Sequence, residues 1–172
     1  MQNYLDLPYA SDKPYPSICV AKKNRNYGKW MLDNMGGSDS EMTTISLYLY
    51  NNMITEEKYG DIAYLFHKMC IVEMHHLKIF GSLSCLLGED PRLWTNCQGR
   101  MSYWTPSYNN YPKDMKRMIQ NALKGELGAI EKYKQQVTAI DDMHIIANLE
   151  RIILDEKVHV TILKKILEDY KF

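Results

Sequence analysis

Residues 126–133 read ELGAIEKY and residues 155–159 read DEKVH, and the first half of the chain carries the same pair, EMTTISLY at 41–48 and EMHH at 73–76. The two octets share Glu at the first position, an apolar residue at the second, Ile at the fifth and Tyr at the eighth. Each is followed by a Glu-x-x-His, at Glu73 with His76 and at Glu156 with His159. A three-residue step keeps both side chains on one face of a helix, so each pair can offer a carboxylate oxygen and an imidazole nitrogen to one small volume. Random placement of the Glu and His residues gives about 0.3 such pairs in a chain of this composition, against the two found.

Glu73 lies 32 residues after Glu41, and Glu156 lies 30 after Glu126. In an antiparallel helical hairpin, residues equally far from the turn sit at the same height. The midpoints fall at residue 57, beside Thr55, and at residue 141, in the Asp141-Asp142 pair. Thr and Asp are residue types that cap helices. Each Glu is then about 15 residues from its turn, or about 23 Å at 1.5 Å per residue, and all four carboxylates meet at one level. Four carboxylates buried without cations would cost several kcal/mol per charge. Two divalent ions balance them, and the mixed oxygen and nitrogen donors suit iron or manganese. The candidate metal ligands are Glu41, Glu73, His76, Glu126, Glu156 and His159.

Around these ligands the chain reads as all-α. A short helix is expected over about 24–35, ending at Gly36-Gly37 in the left-handed geometry that glycine accepts. The first long helix starts after Ser38 or Asp39 and runs to about Ile54, with Glu41, Ile45, Tyr48 and Asn52 as its buried stripe. Thr55 caps a second helix with Glu56 and Glu57 in its first turn and a stop at Gly88. Residues 89–111, with Pro91, Pro106 and five Trp or Tyr residues, form a long ordered crossover. Pro112 suits the first turn of a third helix to about Ala139, and Asp141 or Asp142 caps a fourth to about Tyr170. Two helical hairpins joined by one long crossover make a four-helix bundle over residues 38–172, preceded by an arm with a short helix over 1–37.

Composition removes several classes of function. Hydrophobic residues at 45% and charged residues at 24% place the chain among ordinary globular proteins. Lys plus Arg and Asp plus Glu are equal at 21, which leaves no basic footprint for nucleic acid. The four cysteines, Cys19, Cys70, Cys85 and Cys97, form no C-x-x-C pair, which argues against a rubredoxin-type iron site and for reduced thiols. The first residues lack a signal-peptide pattern and no apolar run reaches the roughly 20 residues of a membrane span, so a cytoplasmic protein without a membrane partner is expected.

Tyr48 and Tyr133 lie two turns from Glu41 and Glu126 on the same face. They suit hydrogen bonding to a ligand carboxylate or a metal-bound oxygen, which makes them the catalytic candidates; a plain core role is the alternative. Asp155, beside Glu156, can accept the free N–H of a ligand imidazole from a neighbouring helix, while the other half has Val72 there. His75 points about 100° away from His76 and is expected at the surface.

The duplicated Glu-x6-Tyr with Glu-x-x-His resembles the rubrerythrin, bacterioferritin and manganese-catalase relatives of the ferritin-like superfamily over about residues 38–170. The Asp-Glu-x-x-His run at 155–159 is similar to bacterioferritin and rubrerythrin, and Gly36-Gly37 before Glu41 is similar to the manganese catalases. The resemblance implies a ferritin-like bundle with two iron or two manganese ions per chain, bridged by Glu73 and Glu156, with Glu41 and Glu126 terminal and one imidazole on each metal. It also implies an oxidoreductase acting on hydrogen peroxide or dioxygen, an external electron donor, and a homo-oligomer. Manganese-catalase-like peroxide disproportionation and bacterioferritin-like ferroxidase storage are the alternatives. The chain departs from typical rubrerythrins in having Ala129 where they carry a further carboxylate, and in lacking the two Cys pairs of their rubredoxin module.

Overall fold

The computed structural model describes residues 4–97 and 100–170. Helix α1 spans Arg25–Gly36, α2 Glu41–Thr55, α3 Gly60–Leu86, α4 Met115–Ala139 and α5 Met143–Asp169. Four of the five starts are fixed by a side-chain oxygen accepting from a first-turn N–H: Asn24 before α1, Ser40 before α2, Asp114 before α4 and Asp142 before α5. Ser40, not Ser38 or Asp39, caps α2, because its Oγ reaches the Thr43 N–H. Thr55 ends α2 instead of opening α3. Its hydroxyl donates back to the Asn51 carbonyl at 2.7 Å, so it satisfies a helix end and leaves Glu56 and Glu57 in the turn. Pro112 likewise lies ahead of the Asp114 cap, outside α4.

The two glycines after α1 also work differently from the left-handed stop read in the sequence. Gly37 has φ −75° and ψ −175°, an extended conformation open to any residue. Both are needed for room: a Cβ on Gly36 would sit 2.9 Å from the Trp94 nitrogen, and one on Gly37 2.5 Å from Asp33 Oδ1. The left-handed glycine is Gly88, at φ 98°, closing α3.

Helices α2 and α3 form one antiparallel hairpin and α4 and α5 a second, joined by the crossover into a ferritin-like four-helix bundle. The turns at 56–59 and 140–142 lie at the two midpoints counted from the glutamates. The crossover is more regular than its sequence suggests. Strands β1 (Trp94–Cys97) and β2 (Arg100–Tyr103) pair antiparallel with Trp94 opposite Tyr103, their rings stacked 5.7 Å apart. A 3-10 turn follows at Pro106–Tyr108. Thr95 ties the hairpin to Asp33 of α1 at 2.8 Å, while Trp104 and Asn109 donate to Thr43 and Ser46 of α2 at 3.0 and 2.6 Å.

The apolar interior is split into two layers. One holds Ile45, Tyr48, Phe66, Met69, Ile119 and Leu163. The other holds Met31, Phe80, Leu83, Tyr133, Leu149 and Ile152. On α3, α4 and α5 the glutamates and histidines of interest fall between them. Helix α2 begins at Glu41 and is only 15 residues long against 27 for α3, about 22 Å against 40 Å. The second layer therefore lacks a fourth bundle helix, and α1 fills the position with Met31 and Met35.

The segment before α1 runs antiparallel along α5. Tyr4 donates to Asp169 at 2.8 Å, Ser11 N–H to Asp155 at 2.7 Å and Ala21 N–H to Asp142 at 2.8 Å. Asn148 Nδ2 donates to the Ser17 carbonyl between them. No helix among the described residues is long and apolar enough to cross a membrane.

Candidate metal centre

Six side chains from four helices converge at the level between the apolar layers: Glu41 from α2, Glu73 and His76 from α3, Glu126 from α4, Glu156 and His159 from α5. All are at most 3% exposed. They form two overlapping sets of donors, each with its atoms within 4.8 Å of one another: Glu41, Glu73, His76 and Glu156, and Glu73, Glu126, Glu156 and His159. Glu73 and Glu156 belong to both sets. His76 Nδ1 lies 3.0 Å from Glu73 and 3.3 Å from Glu156. His159 Nδ1 lies 2.9 Å from Glu73, 3.3 Å from Glu156 and 3.4 Å from Glu126.

The donors fit a metal pair. Glu73 Oε1, both Glu156 oxygens and His159 Nδ1 are fully enclosed without a well-formed hydrogen bond and have only charged members of the cluster as near neighbours, an arrangement that a coordinating cation would satisfy. Charge tells the same story. Burial and the facing carboxylates Glu73 and Glu156 push Glu41 well above the usual carboxylate range, and burial with Glu156 lifts Glu126 to about 7. Burial opposes ionisation of Glu73 and Glu156 as well, but the imidazoles beside them hold both low. Both histidines are held charged well above their usual range by the carboxylates, against burial. Without cations the cluster balances its charge by keeping protons. Mixed carboxylate and imidazole donors in two sets sharing two glutamates are the constellation of a dinuclear metal protein.

The outer nitrogens of the two imidazoles meet different partners. His76 Nε2 lies 3.0 Å from Asp155 Oδ2, and His159 Nε2 lies 3.0 Å from the Tyr9 carbonyl. Asp155 is itself enclosed. It receives the Tyr15 hydroxyl at 2.5 Å and the Ser11 N–H at 2.7 Å, and Arg151 Nη1 stands 2.7 Å away. These donors and His76 overcome burial and hold its carboxyl far below the usual range. Arg151 also donates to the carbonyls of Lys13 and Ser11 at 2.6 and 3.0 Å and lies over the Tyr15 ring at 4.0 Å. The arm thus closes over the imidazole side of the cluster.

The tyrosines cross between the hairpins. Tyr133 of α4 donates to Glu41 of α2 at 2.6 Å, and Tyr48 of α2 donates to Glu126 of α4. Burial, then the carboxylates, raise both phenols well above their usual range, so both hydroxyls keep their protons. His75 is exposed and meets the Tyr15 ring edge-on at 4.3 Å. Asn52, placed in the buried stripe by the sequence, is half-buried and donates to the Ala63 carbonyl at 2.9 Å; Asn51 takes the buried position. Tyr15, Arg151 and the Tyr9 carbonyl escaped the sequence reading. A backbone carbonyl leaves no residue-type signal, and no helical spacing links the arm to α5. Arg151, four residues before Asp155, was the one legible cue.

Residues 37–167 match the family model described as rubrerythrin. Among solved structures, the chain is similar to KatB, a manganese catalase from Anabaena PCC7120, with a TM-score of 0.79 and 20% identity over 96% of this chain and 81% of that one. Wild-type KatB, a manganese catalase from Anabaena, gives a TM-score of 0.78 and 19% identity over the same shares. At this identity the likeness is one of fold. No curated protein matches the sequence.

Proposed function

The chain belongs to the rubrerythrin family, and from that premise we propose that it is a dinuclear iron or manganese oxidoreductase acting on hydrogen peroxide or dioxygen. The observation that carries the reading is the pair of four-donor sets sharing Glu73 and Glu156. In this reading Glu41, Glu73, His76 and Glu156 would hold one ion, and Glu73, Glu126, Glu156 and His159 would hold the other. When bound, such a pair supplies two one-electron changes to a two-electron oxidant.

The surrounding residues support that chemistry in definite ways. Tyr48 and Tyr133 hold the two terminal carboxylates in place from the opposite hairpin and keep their hydroxyl protons at neutral pH. Reduction of peroxide consumes two protons, and these hydroxyls are the candidate catalytic donors at the carboxylate face. Asp155 orients the His76 ring so that Nδ1 faces inward, and the Tyr9 carbonyl does the same for His159. The two apolar layers exclude water above and below the cluster.

A second reading is peroxide disproportionation. It is favoured by the likeness in fold to the manganese catalase KatB, and in it a second peroxide returns the electrons. Reduced thiols suit a cytoplasmic setting, and we place the protein there as a homo-oligomer.

Protein isolated from its native source should carry two iron or manganese ions per chain and consume peroxide. Consumption that requires an added reductant identifies a peroxidase, whereas sustained oxygen evolution without one identifies a catalase. One ion or none per chain, or neither peroxide nor dioxygen consumed by either metal form, would refute the proposal. A large cage on size-exclusion chromatography with iron uptake would replace it by storage.

A further inference from the structure

Two features of the chain play no part in holding the donor cluster: the crossover between α3 and α4, and the glycines Gly125 and Gly128 that flank Glu126 on α4. A glycine inside a helix costs about 1 kcal/mol relative to alanine. Neither backbone geometry nor close packing explains the pair here. Among the described glycines only Gly88 has a positive φ, and a Cβ on Gly125 or Gly128 would meet no atom within 4 Å. Both are exposed, and their missing side chains leave the outer side of α4 open beside Glu126.

That space belongs to a cavity of about 470 Å³ between α2 and α4 that reaches the cluster. Its inner end is formed by the four glutamates with Tyr48 and Tyr133. One wall is apolar or small, made of Leu47, Ala122, Gly125 and Ala129, and the rim includes Lys132 and the crossover residues Tyr108, Asn109 and Asn110. The rim is braced. Asn109 Nδ2 donates to Ser46 at 2.6 Å, Trp104 Nε1 to Thr43 at 3.0 Å, and Lys132 Nζ to the Asp39 carbonyl.

A water takes up about 30 Å³ of liquid and hydrogen peroxide about two waters' worth, so the cavity exceeds that substrate several-fold. Pockets of about 300–1,000 Å³ are the size that encloses organic ligands. We propose that this cavity receives the organic part of alkyl and aryl hydroperoxides, with the O–O group at the carboxylate and tyrosine end, and that the braced crossover rim sets the upper size of the substrate. The proposal rests on the peroxide reading above. The reaction is ROOH + 2H⁺ + 2e⁻ → ROH + H₂O. The O–O bond breaks, one oxygen stays on carbon as an alcohol, the other leaves as water, and the electrons come from the external donor that the peroxidase reading already requires.

The test compares cumene hydroperoxide with hydrogen peroxide on the metal-loaded protein under one reductant. It also measures binding of 2-phenyl-2-propanol, the unreactive alcohol product, by NMR titration of the protein with and without metal. Both peroxides should be consumed and the alcohol should bind in either state. Gly128→Leu, or Gly125→Leu as a second variant, narrows the open side of the cavity while improving helix propensity. Either should weaken alcohol binding and lower the kcat/KM ratio of cumene hydroperoxide to hydrogen peroxide by about tenfold or more. Consumption of hydrogen peroxide alone, with no alcohol binding, overturns this inference and leaves the proposed function standing. Consumption of neither peroxide overturns both.

Discussion

Asp155 presents to His76, at 3.0 Å, a carboxylate oxygen that it shares with Arg151 and Tyr15, whereas the equivalent nitrogen of His159 meets only the carbonyl dipole of Tyr9. A carboxylate partner strengthens an imidazole as a donor more than a carbonyl does. The position made with Glu41 and His76 is therefore expected to bind its ion more tightly than the one made with Glu126 and His159. Asp155→Asn should weaken the tighter step of a Mn(II) titration about 10- to 100-fold and bring the two steps together. An unchanged two-step isotherm would show that the outer partners do not set the difference.

The two tyrosine hydroxyls separate a structural role from a chemical one. Tyr48→Phe or Tyr133→Phe removes one buried hydrogen bond, which should cost about 1 kcal/mol in urea denaturation while two metals per chain are retained. If the hydroxyls deliver protons, kcat for peroxide falls by about 10²-fold or more. A fall of twofold or less would confine them to bracing the carboxylates.

Metal removal should invert the pH dependence of stability. In the metal-free protein Glu126 is raised to about 7, Glu41 is raised well above the usual carboxylate range, and both histidines are raised above theirs. Each raised group binds more protons folded than unfolded. Its contribution is complete below the unfolded value and is lost as pH rises through the folded one. The lowered groups Glu73, Glu156 and Asp155 stay ionised above pH 5.5 and contribute a constant amount. The Tm of the apoprotein should thus fall between pH 5.5 and 8. Metal competes with the same protons, so the Tm gain on adding Mn(II) should grow over that range. Scanning calorimetry of both forms tests the sign; an apoprotein Tm that rises with pH would count against the proton-loaded cluster.

Arg151 ties the arm to the bundle. Removing one partner of a buried ion pair costs up to about 3–5 kcal/mol, and Arg151→Ala would leave the fully enclosed Asp155 with only His76, Tyr15 and the Ser11 N–H beside it. The variant should be destabilised on that scale. The Ser11 amide, which donates to Asp155, should lose hydrogen-exchange protection before the α5 amides do. Simultaneous loss in both would mean that the arm and α5 open as one unit.

The candidate site was far more legible than the elements around it. Glu-x-x-His spacing and equal distances to two turns are geometric facts of a helix, so the level at which the six side chains meet could be counted from the sequence. Helix ends were not countable in this way. Ser38, Asp39 and Ser40 are all competent caps, and residue type alone does not say whose oxygen reaches the Thr43 N–H. Thr55 satisfies a carbonyl or an N–H equally well. The strand pairing at 94–103 was hidden because a four-residue strand docked on a helix has too little alternation to stand out. The closure by Tyr9, Tyr15 and Arg151 depends on a contact between residues about 140 apart in the chain, and one of its partners is backbone.

The cleft between α2 and α4 is lined by all four glutamates and by neither histidine, while the imidazole side lies under the arm. The centre therefore has two approaches of unequal width. In the proposed function the oxidant would arrive through the cleft, and the side covered by Tyr15, Asp155 and Arg151 would be left to protons and electrons. In the peroxidase reading, a reductant docking on the outer surface of residues 9–15 would not compete with the oxidant for space. The steady-state signature of that arrangement is a complex holding both at once, with intersecting double-reciprocal plots in place of the parallel lines of a shared doorway.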